Sequence, residues 1–430
     1  MLGKLKDISK SITARRGSQS GGEQYIVGLD IGSENVKALI AEIKDDHLEI
    51  LGAGRQHQNF ADMQAGAIAD IAGVVANCDT ALSKAEKQAG VSVRTAVIGI
   101  AGELVKGTTT TVKCTRKDGS KPLDYEELER IIGLVQQRAE ARAKQELAWE
   151  LGGKTVEIRL VNSALVGIEM DGYRVTNPIG FEGKEVLVQL YTAFAPQIHI
   201  GALERTAQEL DLDLLAVAAE PFAVSRSVIG DDPNANMSAV LMDVGGGTTD
   251  IAVVHDGGVQ GTKMFGIGGR AFTRSIERDL GMSFDQAELL KIGISQNRVP
   301  QHQRSAVQDA IQKTLDVWLS GVELALGEFK NVDHLPHRLL LCGGGSSLDT
   351  MIDRLEQSSW YKSLPFTKKP TVQHINPSQV VGIIDKTGAV DDHTYITAMG
   401  LLRVGADTAG SDKAKSSDSF KARIDRMLQV

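Results

Sequence analysis

The chain has 430 residues, of which 42% are hydrophobic and 4% aromatic, and its formal net charge is −8. This length predicts roughly two to four domains, and the acidic balance argues against a general nucleic-acid-binding protein. Cys78, Cys114 and Cys342 have no paired spacing, which favours reduced thiols over a metal cluster. No apolar run approaches the ~18 residues of a membrane span, and the N-terminus lacks a signal-peptide pattern, so we expect a cytoplasmic protein.

An amphipathic pattern occupies the N-terminal end of the chain. One helical stripe is formed by Met1, Leu2, Leu5, Ile8 and Ile12. Five basic residues lie off this stripe, namely Lys4, Lys6, Lys10, Arg15 and Arg16, and a Gly/Ser-rich linker follows. A basic amphipathic helix on a tether can bind a membrane surface or a partner. A disordered charged terminus is the alternative, and the pattern leaves both open.

The next element is a predicted hairpin whose tip carries an Asp-x-Gly motif. An apolar strand from Tyr25 ends at Asp30, the turn contains Gly32 and Ser33, and a second apolar strand starts near Lys37. A strand, a helix and another strand are then predicted over residues 47–51, 67–82 and 93–100. The order β-β-β-α-β therefore predicts one compact α/β unit.

A second unit interrupts this pattern between residues 104 and 195. Asp124 and Glu127 form a capping-box pattern that predicts a helix to about Trp149. Strands are predicted over residues 108–112, 156–160, 164–170 and 186–190. The order strand-helix-strand-strand predicts a small inserted domain.

A predicted helix over 203–210 and a buried strand over 214–219 lead to Glu220-Pro221. An acid at the end of such a strand can orient a water molecule or a metal ion beside a phosphate. It can also favour the N-terminus of the next helix electrostatically. The sequence is compatible with both roles for Glu220.

The most informative stretch lies between two apolar strands and reads Asp243-Val244-Gly245-Gly246-Gly247-Thr248-Thr249-Asp250. Glycines let the backbone approach an anion closely, successive amides form an anion-binding concavity, and hydroxyls add donors. A carboxylate at the strand end can hold Mg²⁺ through water. A tight hairpin without a ligand is the alternative. However, Asp243 and Gly245 repeat Asp30 and Gly32 of the first tip, which predicts two related halves with facing tips.

Further helices are predicted over 270–280, over 283–291 and from Pro300 onwards. Glu288 and Lys291 lie three positions apart on one helical face, which suits an ion pair at the surface or beside a ligand. A third glycine stretch follows an apolar strand and consists of Gly343, Gly344 and Gly345. Its strand-to-loop pattern favours a close approach to a nucleotide.

The C-terminal end of the chain, like the N-terminal end, has the pattern of an amphipathic helix. After a helix near 394–402 and a polar linker, an apolar helical stripe is formed by Phe420, Ile424, Met427 and Leu428. Basic residues lie off this stripe, which predicts a helix that binds an anionic membrane surface. Docking of the same stripe on the protein body or on a partner is the alternative.

Four motifs resemble, in this order, the phosphate-1, connecting, phosphate-2 and adenosine motifs of the actin, DnaK and sugar-kinase ATPase superfamily. They begin at Asp30, Glu220, Asp243 and Gly343. The resemblance implies an α/β, actin-like, duplicated RNase H-like fold with a nucleotide cleft, and ATP with Mg²⁺ as ligands. It assigns the metal to Asp30 and Asp243 and a catalytic role to Glu220. Nucleotide contacts are assigned to Asp30, Gly32, Ser33, Lys37, Asp243, Gly245, Gly246, Gly247, Thr248, Thr249, Glu288, Lys291, Gly343, Gly344 and Gly345.

The insert resembles the small domain of the bacterial division family FtsA and of the pilus-assembly family PilM, and the C-terminal stripe resembles the membrane-targeting helix of FtsA. This implies an ATP-binding protein that polymerises on the cytoplasmic membrane face and tethers the tubulin-like FtsZ. The resemblance leaves slow Mg-dependent hydrolysis open. The residues following Glu220 and the pair Gly268-Gly269 are more similar to the pilus-assembly family PilM, whose members bind a short peptide of a pilus membrane protein. A sugar kinase is disfavoured because no catalytic base for a substrate hydroxyl is evident.

These patterns and resemblances imply a division of the chain into seven parts. An N-terminal segment covers 1–23, the first RNase H-like half covers 24–103 and 196–236 with 376–405, and the insert covers 104–195. The second half covers 237–269 and 337–375, with a helical subdomain over 270–336. A linker over 406–418 and an amphipathic helix over 419–430 complete the chain.

Overall fold

The computed structural model describes residues 24–229, 237–330 and 332–412. The N-terminal amphipathic segment and the C-terminal stripe of Phe420, Ile424, Met427 and Leu428 lie outside the described residues. Within the three described ranges, no helix is both long enough and apolar enough to cross a membrane.

The first sheet contains six strands. In spatial order they are β11 (Asp213–Ala219), β6 (Thr95–Ile100), β1 (Tyr25–Ile31), β2 (Asn35–Ile43), β3 (Leu48–His57) and β17 (Ile383–Asp385). Strands β1, β2 and β3 are antiparallel neighbours, whereas β6 runs parallel to both β1 and β11. The central strand β1 is buried along almost its whole length, as expected for a sheet covered by helices on both faces.

The second sheet contains nine strands. In spatial order they are β16 (Thr371–His374), β15 (Arg338–Cys342), β12 (Ala239–Val244), β13 (Thr249–His255), β14 (Gly258–Phe265), β7 (Lys106–Thr115), β10 (Glu185–Pro196), β8 (Ile158–Met170) and β9 (Tyr173–Val175). A separate small hairpin is formed by β4 (Met63–Gln64) and β5 (Ala67–Ile68).

The described helices pack around these sheets. They are α1 (Ile71–Ala89), α2 (Tyr125–Glu150), α3 (Gln197–Glu209), α4 (Glu220–Ile229), α5 (Gly269–Leu280), α6 (Phe284–Ser295), α7 (Gln301–Gly327), α8 (Asp349–Gln357) and α9 (Ile396–Asp412). Helix α1 packs on β2 and β3, and α9 packs on β1 and α4. Helices α5, α6 and α7 pack on one another in the second half of the chain.

The same topology occurs twice. In the first sheet the order β6-β1-β2-β3 combines one parallel neighbour with an antiparallel meander, and β15-β12-β13-β14 repeats this arrangement in the second sheet. The predicted duplication and the actin-like fold class are therefore confirmed. Each half contains one of the two Asp-x-Gly tips.

The insert interrupts the first half in sequence but extends the sheet of the second half. Strand β7 pairs with β14 through Thr108 opposite Gly261 and Gly107 opposite Thr262. The Thr109 hydroxyl donates a hydrogen bond of 2.5 Å to the carbonyl oxygen of Val259. Helix α2 covers one face of the insert and begins as predicted, because the Asp124 carboxylate accepts the backbone N–H of Glu127 at 2.8 Å.

Three predicted boundaries are corrected by the structure. Helix α1 begins at Ile71 rather than near residue 67, because the Asp70 carboxylate caps it by accepting the Ala72 N–H at 3.0 Å. The predicted strands 156–160 and 164–170 form the single strand β8, whose two register irregularities against β10 keep the pairing continuous. Helix α9 continues to Asp412, into the predicted linker 406–418, because Ala409 remains buried.

Candidate functional site

The two Asp-x-Gly tips face each other across a cleft of about 530 Å³. A Cβ atom on Gly246 would lie 2.9 Å from the Cβ of Glu34, and one on Gly247 would lie 2.8 Å from the Ser33 hydroxyl oxygen. Side chains at these two positions would push the tips apart, so glycine is required for their close approach. The prediction that the tips face each other is confirmed.

Lys37 and Asp30 form a buried ion pair at the first tip. The two residues are opposite each other in the β1–β2 ladder, and Lys37 Nζ lies 2.8 Å from Asp30 Oδ2. Burial on its own lowers the pKa of Lys37, but the carboxylates of Asp30 and Asp243 outweigh it and raise the pKa. Lys37 therefore carries a fixed positive charge into the cleft.

Asp243 occupies the equivalent position at the second tip. The Thr397 hydroxyl, at the start of α9, donates a hydrogen bond to Asp243 Oδ2. Burial raises the pKa of Asp243, while Thr397 and Lys37 oppose this shift. Gly343 has φ +81, and a Cβ there would lie 2.0 Å from Asp243 Oδ1. Glycine is therefore required at position 343 for two reasons: its positive φ disfavours other residues, and any side chain there would clash with Asp243.

Two further acids lie beside this pair. Glu220 is the first residue of α4, and burial followed by the charges of Asp30, Asp250 and Asp243 raises its pKa well above the usual value. Burial and Asp243 likewise raise the pKa of Asp250. Asp250 Oδ2 accepts a 3.1 Å hydrogen bond from the Thr248 hydroxyl, whereas its buried Oδ1 has no hydrogen-bond partner among the described residues. The cleft therefore concentrates carboxyl groups that a bound cation would stabilise.

Glu288 and Lys291 lie on the opposite wall of the cleft. Lys291 Nζ is 2.8 Å from Glu288 Oε2 and donates to the carbonyl oxygen of Gly269 at 3.1 Å and to the Thr273 hydroxyl at 3.0 Å. Both side chains are largely buried and line the cleft. This network fixes the ion pair beside the cavity rather than in open solvent.

Two stacked histidines support the third glycine stretch from outside. The rings of His374 and His393 lie 3.8 Å apart at an interplanar angle of 11°. Ring nitrogens of His374 and His393 contact the Ser346 carbonyl oxygen and the Ser347 hydroxyl, each at 3.0 Å. Burial and the neighbouring His374 lower the pKa of His393 to about 4. His393 therefore carries a neutral imidazole at neutral pH.

Most of the predicted site residues line this one cleft. They are Asp30, Gly32, Ser33, Lys37, Glu220, Asp243, Gly245, Gly246, Thr248, Glu288, Lys291, Gly343, Gly344 and Gly345. Gly247 instead packs against Ser33.

The prediction of a ligand contact for Thr249 is corrected by the structure. The Thr249 hydroxyl donates to the Ile267 carbonyl at 2.7 Å and accepts from the Trp318 indole N–H at 2.9 Å. Thr249 is fully buried, because successive side chains of a strand point to opposite faces and this one points into the core of the second half.

Several residues of the cleft were not predicted. They are Glu34, Arg55, Asp250, Arg270, Asp392 and Thr394. Asp250 was part of the quoted motif, and Arg270 directly follows the Gly268-Gly269 pair, so proximity to a motif was the available signal. Thr397 carried no local signal, because its role depends on the position of α9 beside Asp243.

The duplicated topology and the cleft between two Asp-x-Gly tips are those of an actin-like α/β fold. Residues 240–400 match the family model described as "Cell division protein FtsA". The chain is 25% identical over 434 residues to the cell division protein FtsA of Pseudomonas aeruginosa, covering 94% of this chain and 96% of that protein. The FtsA protein of Streptococcus pneumoniae is 23% identical, covering 95% of this chain and 88% of that protein.

Among solved structures, the chain is similar to one described as "PilM-PilN type IV pilus biogenesis complex". The TM-score is 0.63 at 17% identity, covering 89% of this chain and 98% of that one. This likeness supports the fold. Together with the family-model match, these relatives show that the chain is similar to FtsA proteins over most of its length.

Proposed function

We propose that the protein binds ATP with Mg²⁺ in the cleft between the two tips. The observation that carries this proposal is the contact between the tips, which brings Asp30 and Asp243 to the same cavity as the glycine backbones at 245–246 and 343–345. Glycine amides and the Thr248 hydroxyl can donate to phosphate oxygens, and Lys37 supplies a positive charge. The nucleoside would lie between the third glycine stretch and the Glu288–Lys291 pair.

The charge of the cleft explains why a metal ion would accompany the nucleotide. The acidic side chains that line it are Asp30, Glu34, Glu220, Asp243, Asp250, Glu288 and Asp392, and the basic ones are Lys37, Arg55, Arg270 and Lys291. Acids exceed bases, so a polyphosphate needs a divalent cation to offset the repulsion. Mg²⁺ usually keeps several waters and takes one or two carboxylates plus phosphate oxygens, which suits Asp30 and Asp243.

The nucleotide site can be tested by calorimetric titration of ATP in the presence of Mg²⁺ and of EDTA. Asp243→Asn should weaken Mg-ATP binding at least about tenfold, a loss of about 1.4 kcal/mol, and should reduce the dependence on Mg²⁺. Asp256→Asn is the matched control, because Asp256 is exposed in the turn at the opposite end of the same hairpin. Equal affinities of wild type and Asp243→Asn would contradict the assignment.

We further propose a role in bacterial cell division, supported by the names of the relatives in Pseudomonas aeruginosa and Streptococcus pneumoniae. In this proposal the body polymerises with ATP at the cytoplasmic membrane face, the C-terminal stripe binds the membrane, and the filament tethers a tubulin-like FtsZ. Head-to-tail stacking of such bodies is a heterologous contact, which produces open filaments. Hydrolysis would be slow and would depend on Glu220.

The PilM-like function is the second candidate, because Glu220-Pro221-Phe222-Ala223 is more similar to PilM than to FtsA. It predicts binding of a short peptide of a pilus membrane protein rather than polymerisation. Sedimentation with ATP and anionic vesicles, with and without FtsZ of the same organism, separates the two. ATP-dependent pelleting that recruits FtsZ supports the division role, and a monomer at every concentration supports the peptide-binding role.

A further inference from the structure

Beside the cleft, an aromatic residue from the first half contacts two arginines from the second, one of which, Arg270, lines the cleft. Phe60 lies in the loop after β3 and is 50% exposed. The guanidinium carbons of Arg270 and Arg274, both on α5, lie 4.9 Å and 4.6 Å from the centroid of its ring. The ring of Phe284, at the start of α6, lies 5.9 Å from that of Phe60. The loop after β3 therefore reaches across to two helices of the second half.

Arg270 also connects the two Asp-x-Gly tips directly. Its Nε donates to Glu34 Oε2 at 2.7 Å, and its Nη2 donates to the Ser33 carbonyl oxygen, both at the first tip. Its backbone N–H donates to the Gly246 carbonyl oxygen at 2.8 Å, at the second tip. One buried residue is thus bonded to both sides of the cleft that it lines.

The loop with Phe60 and the first tip are themselves joined. The backbone N–H of Gln58 donates to the Glu34 carbonyl oxygen at 2.9 Å. Arginine suits this arrangement, because its planar guanidinium can donate several hydrogen bonds in its plane while its face lies on an aromatic ring. Lysine keeps the positive charge but lacks the several in-plane N–H donors of the guanidinium and its flat face.

We propose that Phe60 and Arg270 act as positioning residues that hold the two halves together beside the cleft and set the residence time of the bound nucleotide. This proposal rests on the proposed nucleotide binding. A ligand that contacts both tips leaves only when the tips separate. That separation breaks the bonds from Arg270 to Ser33 and Glu34, together with the contacts of both arginines with Phe60.

The test is the rate at which a fluorescent ATP analogue, bound with Mg²⁺, is displaced by excess ATP in stopped flow. Phe60→Leu retains an apolar side chain but removes the ring, and Phe60→Trp retains a ring. We expect Phe60→Leu and Arg270→Lys each to raise the release rate about tenfold, and Phe60→Trp to restore slow release. The association rate should change far less, since the open cleft is the same in all variants.

Arg278→Lys is the matched control, because Arg278 lies on the same helix with a mostly exposed side chain paired to Asp279. The double variant Phe60→Leu/Arg270→Lys should release the analogue faster than either single variant, because Arg270 also bonds to Ser33 and Glu34 and Phe60 also contacts Arg274. Phe60→Leu is a substitution at a half-exposed site. If its release rate is within about twofold of wild type, this proposal is overturned while the proposed nucleotide binding still stands. Failure of the wild type to bind the analogue at all overturns the proposed nucleotide function as well.

Discussion

The ammonium group of Lys37 lies 2.8 Å from the carboxylate of Asp30, its cross-strand partner, and both side chains are almost completely buried. Removing one member of a buried pair leaves an uncompensated charge, which costs about 3–5 kcal/mol. Lys37→Met should therefore lower the free energy of unfolding by about this amount in urea titrations of the nucleotide-free protein. Adding Asp30→Asn should recover most of the loss.

Lys386→Met provides the comparison for this experiment. Lys386 pairs with Glu49 at 3.0 Å, but half of its side chain is exposed, so the expected loss is below about 1 kcal/mol. Equal losses for Lys37→Met and Lys386→Met would show that the Lys37–Asp30 pair is not a buried, mutually stabilising unit.

Glu220 should make the stability of the nucleotide-free protein decrease with rising pH. Burial, and then Asp30, Asp250 and Asp243, raise its folded-state pKa well above 4.5. The folded state therefore retains a proton that the unfolded state loses, so this stabilisation is complete below the unfolded pKa and disappears as the pH rises through the folded pKa. Glu220→Gln should raise the melting temperature at pH 8 and leave it nearly unchanged near pH 4.5.

The exposed Glu182 of the insert serves as the control for that measurement, as Glu182→Gln removes a carboxylate from the surface. Its melting temperature should follow the wild type at every pH. A Glu220→Gln variant whose melting curve has the same pH dependence as the wild type would contradict a buried, proton-retaining Glu220.

Glu220 should also affect hydrolysis more than binding. An acid at this position can order a water molecule beside the terminal phosphate. Glu220→Gln should bind Mg-ATP with an affinity within about threefold of wild type and release phosphate at least about tenfold more slowly. Phosphate-release assays beside calorimetry distinguish the two effects, and a variant with wild-type turnover would leave Glu220 with the helix-terminus role only.

Alanine substitutions at two adjacent glycines should distinguish an effect on stability from an effect on nucleotide binding. Gly343 has φ +81, and a Cβ there would lie 2.0 Å from Asp243 Oδ1, so Gly343→Ala should destabilise the fold by more than about 1 kcal/mol. A Cβ on Gly344 would meet no protein atom within 4 Å, although Gly344 lines the cleft. Gly344→Ala should therefore leave the melting temperature unchanged and weaken nucleotide binding. If Gly344→Ala lowered the melting temperature but bound nucleotide with wild-type affinity, the nucleoside would not lie beside Gly344.

The C-terminal stripe should bind anionic membranes reversibly. Phe420, Ile424, Met427 and Leu428 would insert at the headgroup boundary, and each nearby lysine or arginine adds about 1 kcal/mol at an anionic surface. Ile424→Glu should release the protein from phosphatidylserine vesicles in flotation assays without changing ATP binding. Ala422→Glu adds the same charge off the stripe and should retain most of the binding.

Deletion of residues 1–16 tests the N-terminal stripe in the same assay. Flotation that survives Ile424→Glu but is lost with this deletion would place the membrane tether at the N-terminus. That result would also remove the C-terminal argument for an FtsA-like over a PilM-like role. Loss with either change would show that two weak anchors act together, as expected when avidity is needed for stable binding.

The sequence by itself determined the features that depend on residues close together in the chain. Strand periodicity around Asp30 and Asp243 predicted both hairpins, the glycines predicted close-approach turns, and Asp124 caps a helix as its position suggested. The order of the motifs added the fold class. These features follow from backbone geometry and short-range hydrogen bonding, which local sequence specifies.

Only the tertiary structure decided which side chains meet across the cleft. Glu34 and Arg270 are 236 positions apart, and no local pattern predicts their pairing. Thr249 shared every feature of a phosphate-binding threonine, yet the register of β13 points its hydroxyl towards Ile267 and Trp318. Such outcomes depend on how two sheets and their helices pack, because a small rotation of either half changes every contact between them while leaving the local patterns of the sequence intact.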